Sequence, residues 1–503
     1  MNEPSSRSFQ RLQPVLQRMY ADIFPDKNAP RTIVVLPSLS LDREVLEKIS
    51  GVHHYEERML CLLLLLRMPR TRIIYLSSTP ISAAVIDYYL HLLPGVPSQH
   101  ARQRLFALSC DDSSTVALAQ KLLDRPRLMQ RIRDLIPDPA STHVACFNVS
   151  ELEAEFASRI GAPIFGCDPA LAHWGSKSGS RMIFREADVP MPDGAENLPD
   201  IAAAAKALAA LKTQNGVLRK AVVKLNEGFS GEGNAVFDFA GAPQGQRQGQ
   251  ALEDWVRSRL PAMRFEAGGM TLEAFGEKFR AMGGIVEAFI EGDEKRSPSA
   301  QFRIDPLGVV ETVSTHDQVL GGNSGQKFLG CRFPADEAYR ISIQDMGRKV
   351  AEALARKGVR GRLGVDFISV RDGSGWKHFA IEANIRKGGT THPYLMLEYL
   401  TDGRYDDATG QFFTPGGRPC FYFATDNLES ERYRGLTAHD LIDIAAENDL
   451  HFHAARQEGV VFHLIGALSE FGKLGVLCIG ATQERADALY ERTVAVLDRE
   501  AGR

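Results

Sequence analysis

The sequence predicts an α/β fold that begins with a doubly wound parallel sheet and continues into a mixed α+β region. Between residues 31 and 166, short apolar runs ending in small polar residues alternate with helical stretches, as in parallel sheets with crossover helices. From about residue 176 to residue 400, glycine-rich turns, alternating strands and longer helices replace this pattern. A smaller α/β unit is predicted beyond residue 403.

The N-terminal elements follow from apolar runs and from helix start and stop signals. A helix is predicted over residues 82–93, with Ser82 as candidate N-cap and Pro94-Gly95 as the stop. The apolar runs predict buried strands at residues 32–36, 72–76, 105–108, 143–148 and 163–166.

Later elements are predicted in the same way. The helix after Thr271 carries a core-facing stripe, and residues 241–250 have the composition of a flexible insertion. The C-terminal unit is predicted to contain helices at 438–446 and 483–497 and strands at 460–466 and 474–480. The stripe consists of Leu272, Phe275, Phe279 and Met282.

Composition excludes several classes of protein. The chain has 503 residues, 44% hydrophobic and 24% charged, enough for several cores. With Lys+Arg 59 against Asp+Glu 63, no polycationic surface is expected, and therefore no nucleic-acid partner. The longest apolar run, residues 59–66, would be a helix of about 12 Å against a bilayer core of about 30 Å. We therefore predict a buried helix or strand there, and no membrane association.

The cysteines indicate a reducing environment. There are seven, scattered along the chain and never in a C-x-x-C pattern, which argues against a disulfide framework or a thiolate zinc site. The first twenty residues alternate charges with single apolar residues and do not resemble a secretory signal. We expect a cytoplasmic protein.

A glycine-rich hairpin is the first candidate for chemistry. Residues 221–239 read AVVKLNEGFSGEGNAVFDF, two β-rich runs around a loop, with Lys224 near the end of the first run. Closely spaced glycines let backbone N–H groups converge on phosphate oxygens. The pattern is not a Walker loop, because no G-K-[ST] follows. An ordinary hairpin turn is the alternative.

Two further segments could meet a nucleotide. Lys177 begins a predicted helix, where backbone donors favour an anion; a solvated lysine is the alternative. Residues 285–294 (IVEAFIEGDE) form a strand and an acidic turn, which could offer backbone groups to adenine and a carboxylate to ribose. An edge strand with a solvated turn is equally consistent with that segment.

The strongest signal is the β-rich pair over residues 362–386. Asp366 lies in the first run, and Glu382 and Asn384 alternate in the second and so face one side. Two carboxylates and an amide oxygen suit Mg²⁺. Arg386 continues the alternation and would place a cation beside the metal. The alternative is an exposed polar face of the hairpin.

In chain order, these segments resemble the ATP-grasp superfamily of carboxylate–amine ligases. The E-x-x-x-x-x-x-E hinge and the D…E-x-N triad are similar to those of D-alanine–D-alanine ligase, and E-x-N-x-R is closer to biotin carboxylase. Residues 31–400 more specifically resemble the pheganomycin-type peptide ligase group. The phrases that carry this resemblance are YEERMLCLLLLLRMPR (55–70), FGCDPALAHWGSKSGSR (165–181) and KLNEGFSGEGNAVF (224–237).

The resemblance implies a division of the chain and a reaction. A polar leader (1–30) would precede a Rossmann-like pre-ATP-grasp domain (31–175). An ATP-grasp domain (176–402) would follow, with a lid at about 190–285 and a metal-bearing sheet at about 286–402, and then a C-terminal α/β unit (403–503). The implied enzyme transfers the γ-phosphoryl group of ATP to a substrate carboxylate, and an amine attacks the resulting acylphosphate.

The resemblance also implies roles for individual residues. Asp366, Glu382 and Asn384 would hold one or two Mg²⁺, with Mn²⁺ a possible substitute. Arg386, Lys224 and Arg362 would be catalytic; this chain has Gly364 where D-alanine–D-alanine ligase has an arginine, so Arg362 or Arg386 must take that part. The nucleotide would be bound by Lys177, Lys224, Glu227, Ser230, Gly231, Gly233, Glu287, Ile290 and Glu294.

Alternatives remain at this point. A carboxylase or kinase-like ATP-grasp enzyme, or a nucleotide-binding regulator without ligase activity, would share parts of the pattern. The missing biotin-attachment sequence weighs against carboxylation, and the intact metal set weighs against a pure regulator. The substrates are expected to be a small carboxylate and an amine or peptide, and a homo-oligomer is left open. Residues 314–327 are expected to contact substrate or to form a surface loop.

Overall fold

The N-terminal part of the chain forms a four-stranded parallel sheet. The computed structural model describes residues 5–40, 51–228, 233–243, 249–321, 327–373 and 375–502. The strands are β1 (Arg31–Leu36), β2 (Thr71–Ser77), β3 (Leu105–Ser109) and β4 (Thr142–Cys146), in the order β3-β2-β1-β4. Every residue of β1 is buried, as expected for a parallel sheet covered on both faces.

Four of the five strands predicted in this region are confirmed. The fifth run contributes only a single bridge, from Ile164 to Val144. The helix predicted after Ser82 is present, although the Ser82 side chain makes no capping hydrogen bond. The α-helices of this part are Ser5–Asp22, Ala83–His91, Ser98–Arg102, Leu118–Leu123, Pro126–Asp134 and Glu151–Ile160, and a short 3-10 turn covers Pro139–Ser141.

Two segments that were predicted only loosely have defined structures. The apolar run 59–66 lies within a buried 3-10 helix, Val52–Arg67, so its buried helical alternative is the one adopted. The polar leader forms the helix Ser5–Asp22, which packs against Glu151–Ile160 and buries Phe9, Leu16 and Met19.

A second, antiparallel sheet of five strands is called the lid sheet here. Its strands are β5 (Gly194–Leu198), β6 (Lys220–Leu225), β7 (Asn234–Asp238), β8 (Arg264–Phe265) and β9 (Gly284–Ala288), in the order β5-β9-β6-β7-β8. The predicted stripe of the helix after Thr271 is confirmed, since Phe275 and Phe279 are fully buried. Around the sheet lie the α-helices Lys177–Glu186, Ile201–Gln214, Gly249–Arg259 and Leu272–Met282 and the 3-10 helices Pro169–Gly175 and Leu260–Ala262.

The third sheet, called the central sheet, contains the remaining eleven strands. They are β10 (Lys295–Arg296), β11 (Pro298–Ile304), β12 (Val310–Gly321), β13 (Lys327–Phe333), β14 (Gly361–Asp372), β15 (Gly375–Asn384), β16 (Arg404–Asp406), β17 (Gln411–Phe413), β18 (Pro419–Glu429), β19 (Gly459–His463) and β20 (Lys473–Gly480). The order is β10-β14-β11-β12-β13-β18-β17-β16; β15 pairs with β14, and β20 lies between β18 and β19. The helices of this part are Arg340–Arg356, Thr391–Thr401, Ala438–Glu447, Leu468–Phe471 and Gln483–Glu500, with 3-10 turns at Glu431–Tyr433 and Ile465–Ala467.

The strands of the predicted C-terminal unit continue the central sheet. β18 pairs with β13 on one side and with β20 on the other. One apolar core joins residues of β1 and the 3-10 helix 52–67 to residues of β19 and β20. The predicted boundaries at residues 30, 175 and 402 stay predictions. Over the described ranges, no helix is long and apolar enough to cross a membrane.

Candidate active site

The β14–β15 hairpin brings the three predicted metal ligands together. Asp366 stands opposite Glu382, and Gly364 stands opposite Asn384, so the three polar side chains share one face. The Asn384 amide donates to Asp366 Oδ2 at 3.0 Å. Two carboxylates and an amide oxygen within one small site form a donor set that fits Mg²⁺.

The electrostatics of this hairpin favour a cation. Burial, together with the neighbouring charge of Glu382, raises the pKa of Asp366 to about 7. Burial alone would also raise the pKa of Glu382, but the Lys177 ammonium, 2.5 Å from its Oε1, and the charges of Arg386 and Lys224 together lower that pKa. Burial lowers the pKa of Arg386 against the opposing charges of Glu382 and Asp366.

Hydrogen bonds of neighbouring residues and of Asn226 fix Lys177 at the start of its helix. The Ser176 hydroxyl caps the helix by accepting from the Gly179 N–H at 3.0 Å, and the Lys177 N–H donates to Asn226 O at 3.0 Å. The Ser178 hydroxyl donates to Asn226 Oδ1 at 2.7 Å. These bonds hold the helix start against the loop that follows β6.

Lys224 belongs to a buried group of charges under the lid sheet. Its ammonium lies 2.5 Å from Glu287 Oε2, and Arg181 Nη1 donates to Glu287 Oε1 at 2.8 Å. Arg181 and Glu287 are each 2% exposed. The charge of Lys224 also lowers the pKa of Glu382, after the larger effect of Lys177. The structure therefore brings both predicted phosphate-binding lysines close to the β14–β15 hairpin with Asp366, Glu382 and Asn384, which we call the metal hairpin.

The predicted nucleotide-binding turn connects two sheets. Residues 289–294 run from β9 of the lid sheet to β10 of the central sheet. Ile290 is partly buried. Glu294 is partly exposed and pairs with Arg296 at 3.2 Å.

The glycine-rich loop is only partly described. Glu227 is exposed, and Gly233 O accepts from the Leu225 N–H at 2.9 Å. Ser230 and Gly231 lie outside the described residues. Their predicted contacts with phosphate stay predictions.

The two candidate catalytic arginines occupy different places. Arg386 lies two residues beyond the end of β15, and its Nη1 donates to Lys387 O at 3.1 Å. Arg362 lies on β14 and lines a separate small cavity with Ser314 and Tyr394. At Gly364, a Cβ atom would come within 2.6 Å of Gln301 Oε1, so a side chain there would require Gln301 to move.

Sequence reasoning missed several residues of this site. Gln318 donates to Asp366 Oδ1 at 2.7 Å, and Ser180 Oγ accepts from the Ala383 N–H at 3.0 Å. Ser180 and Arg181 stand in the same SKSGSR phrase as Lys177, and Gln318 stands in the polar stretch 314–327. Those phrases were the available signal, but the direction of each side chain depends on tertiary packing.

Comparison with known proteins decides the family. Residues 169–259 and 262–408 match the family model described as IQCH-like, ATP-grasp. L-propargylglycine–L-glutamate ligase of Streptantibioticus cattleyicolor is 30% identical over 475 residues, covering 93% of this chain and 94% of that protein. The chain belongs to the ATP-grasp superfamily of ligases. It is an ATP-dependent enzyme that joins a carboxylate to an amine.

Other comparisons agree with the ATP-grasp fold. Residues 440–493 match the model described as PGM1 C-terminal domain. The complex of Campylobacter jejuni biotin carboxylase with an ATP analogue superposes with a TM-score of 0.54, covering 91% of this chain and 89% of that chain. The ADP complex of N5-carboxyaminoimidazole ribonucleotide synthetase superposes with a TM-score of 0.50, covering 93% and 98%. Both are 14% identical, so they support the fold alone, and the predicted ATP-grasp architecture is confirmed.

Proposed function

We propose that this ATP-grasp ligase binds Mg²⁺–ATP between the lid sheet and the β14–β15 hairpin and activates an amino acid carboxylate as an acylphosphate. The supporting observation is that Lys177 pairs with Glu382 beside Asp366 and Asn384, and that the charge of Lys224 also acts on Glu382. Cations opposite a metal-binding face form a slot for a polyphosphate. Phosphoryl transfer depends mainly on such positioning and on neutralisation of charge.

Different residues would bind the metal and the phosphates and position the binding lysines. Asp366, Glu382 and Asn384 would hold one or two Mg²⁺, and the bound metal would neutralise phosphate oxygens. Lys177 and Lys224 would bind the phosphates from the other side. Glu287 has both oxygens engaged by Lys224 and Arg181, so we assign it to positioning Lys224 and not to reading adenine.

The remaining nucleotide contacts come from the connection between the two sheets. The backbone of Ile290 would read adenine, and Glu294 the ribose. The glycine-rich loop with Glu227, Ser230, Gly231 and Gly233 would cover the phosphates. Arg386 would stabilise the acylphosphate; Arg362 is the second candidate, since it lies on the same strand as Asp366 and four residues before it.

The reaction balances as two displacements. A carboxylate oxygen attacks the γ-phosphorus of ATP and ADP leaves. The amine nitrogen then attacks the acyl carbon, phosphate leaves with the carboxylate oxygen, and the nitrogen loses a proton. The name of the Streptantibioticus relative contains two amino acids, which supports amino acids or short peptides as both substrates here. All seven cysteines are free, which supports a reducing, cytoplasmic location.

The test is ADP release with pairs of amino acids, followed by mass spectrometry of the products. We expect ADP formation that requires both an acid and an amine and yields an amide of their summed mass less one water. Glu382→Ala should abolish turnover, whereas Glu352→Gln, an exposed carboxylate on Arg340–Arg356, should retain it. ADP formation with the acid alone, at the full rate and with a stable phosphate ester as product, would replace the ligase assignment by a kinase-like one.

A further inference from the structure

A buried charge cluster lies beside the candidate active site and is not used by the mechanism above. It consists of Arg58, His392, Asp426 and His463, each at least nine-tenths buried. These residues come from the 3-10 helix 52–67, from Thr391–Thr401, from β18 and from β19. We call it the Asp426 cluster.

Asp426 is the common acceptor of this cluster. His392 Nε2 and His463 Nε2 lie 3.0 and 2.6 Å from its Oδ1, and Arg58 Nη2 lies 2.5 Å from its Oδ2. Burial would favour a neutral carboxyl, but the Arg58 guanidinium and the hydrogen bonds from His392 and His463 together hold the pKa of Asp426 well below its ordinary value. Asp426 is therefore a fixed anion that orients the Arg58 guanidinium.

Each histidine presents its Nε2 atom to Asp426 and leaves its Nδ1 atom facing no acceptor. Both Nδ1 atoms are buried without a partner, so a proton there would be an unsatisfied donor. Burial lowers the pKa of His392 to about 4. Metal-bound histidines usually donate their second nitrogen to an acceptor. The two histidine Nδ1 atoms lack such an acceptor, and Asp426 already pairs with Arg58. Both observations favour a cluster that positions the Arg58 side chain over a cluster that binds a metal.

One hydrogen-bond donor of the Arg58 guanidinium has no acceptor. Its Nε is buried without a hydrogen-bond partner, and its guanidinium lies 4.2 Å from the ring centre of Tyr55 and 5.9 Å from that of Phe147. An unsatisfied buried donor is costly. The guanidinium presents a planar set of donors that matches a carboxylate. An anionic ligand would therefore satisfy this group.

Arg58 is also close to the site of the chemistry. The backbone carbonyl oxygen of Phe147, whose ring lies beside Arg58, accepts the N–H of Lys387 at 3.2 Å, so the segment that carries Arg386 is hydrogen-bonded to the backbone of that residue. On the other side of Tyr55, Lys473 Nζ donates to the tyrosine hydroxyl at 2.8 Å.

We propose that Arg58 binds the carboxylate of the amino acid that supplies the amine, next to the acylphosphate at Arg386. This inference rests on the proposed function. Two anions must approach each other before the nitrogen can attack, and Arg58 and Arg386 would each donate hydrogen bonds to one of them. The amine substrate is accordingly an amino acid with a free α-carboxylate and not a simple amine.

The test compares the amine substrate with its α-carboxamide in wild-type enzyme and in Arg58→Met, using the amino acid identified in the pair screen. Wild type should prefer the carboxylate form by about 100-fold in kcat/KM. In Arg58→Met the KM for the amino acid should rise at least 20-fold and the preference should shrink to within about fivefold, while the KM values for ATP and the acid change less than threefold. Arg58→Lys should give an intermediate preference and serves if the methionine variant does not fold.

Arg67→Met is the matched control. Arg67 lies at the other end of the same 3-10 helix, 5.7 Å from the Tyr399 ring centre, and pairs with Asp402 at 3.0 Å. The Arg67→Met variant should leave unchanged both the KM for the amino acid and the preference for the carboxylate form over the carboxamide. An Arg58→Met enzyme that makes amide with the wild-type preference overturns this inference and leaves the ligase intact. A wild-type enzyme that forms no ADP with any pair overturns the proposed function itself.

Discussion

The ammonium of Lys177 lies 2.5 Å from Glu382 Oε1, joining the helix beside the lid sheet to the metal hairpin. A residue assigned to phosphate and a residue assigned to metal thus neutralise one another directly. The contact sets the separation between the two faces of the slot. The ammonium also helps to lower the pKa of Glu382 against the effect of burial.

Replacing Lys177 by methionine should weaken ATP binding. The phosphates lose a cation, and the partly buried Glu382 loses the ion-pair partner that helps to lower its pKa. We expect the KM for ATP to rise by roughly 10-fold to 100-fold, since a lost charge-assisted hydrogen bond costs about 1.5–3 kcal/mol. Steady-state ADP assays measure this, and Lys206→Met, on an exposed position of Ile201–Gln214, is the control. A KM for ATP within twofold of wild type would remove Lys177 from the site.

Replacing Glu287 by glutamine should destabilise the fold. Lys224 would lose its buried anionic partner, while Arg181 would keep Glu196 at 3.0 Å, and breaking a buried ion pair costs about 3–5 kcal/mol. Urea unfolding measures the free energy. Glu291→Gln removes an exposed partner of Arg219 and should cost less than about 1 kcal/mol. Equal losses of unfolding free energy in Glu287→Gln and Glu291→Gln would contradict a larger stabilising contribution from the buried ion pairs of Glu287.

Replacing Gly179 by alanine should displace the start of the Lys177 helix. A Cβ there would lie 2.1 Å from His173 O and 2.8 Å from Trp174 Cα, and backbone atoms cannot rotate away as side chains do. We expect a loss of about 1–3 kcal/mol in unfolding free energy, with a higher KM for ATP. Gly276→Ala, whose Cβ meets nothing within 4 Å, should be neutral or slightly stabilising. Unchanged stability and KM in Gly179→Ala would contradict the tight packing.

Glu56 should give stability a measurable pH dependence. Burial raises its pKa to about 7, although Ser78 hydrogen bonds and the charges of Lys121 and His54 oppose this. The folded protein therefore binds one more proton than the unfolded chain between about pH 4.5 and pH 7, and stability falls as pH rises through that window. Between pH 5 and pH 8, wild type should lose roughly 2–4 kcal/mol more than Glu56→Gln. Parallel curves for the two proteins would contradict the raised pKa; Glu151→Gln, an exposed carboxylate, should behave as wild type.

The metal hairpin was predictable because its information is local. Alternation places Glu382 and Asn384 on one face, and the turn after Asp372 sets the register as far as Phe367. A shift of one residue between Phe367 and Asp366, which no local pattern predicts, then brings Asp366 opposite Glu382. The parallel strands of the first sheet were predictable for a similar reason, since each is a short apolar run bounded by polar residues. Where burial is complete, as in Val52–Arg67, periodicity does not separate helix from strand.

Other parts of the structure depend on long-range packing that leaves no local pattern. The pairing of β18 with β13, which joins the C-terminal strands to the central sheet, is fixed by distant partners. Arg58 stands in a segment notable for its leucines. The partners of that arginine, Asp426, His392 and His463, are separated along the chain with no metal-like or catalytic spacing, so their contact became visible only in three dimensions.

The most direct measurement follows oxygen from the acid to phosphate. With the carboxylate of the acid substrate labelled with ¹⁸O, an acylphosphate route transfers one labelled oxygen to the inorganic phosphate released for each amide formed. We expect phosphate that carries one ¹⁸O atom, detected by mass spectrometry or ³¹P NMR. Amide formation with unlabelled phosphate would contradict activation of the carboxylate by phosphoryl transfer, and with it the assignment of the slot between Lys177, Lys224 and the β14–β15 hairpin.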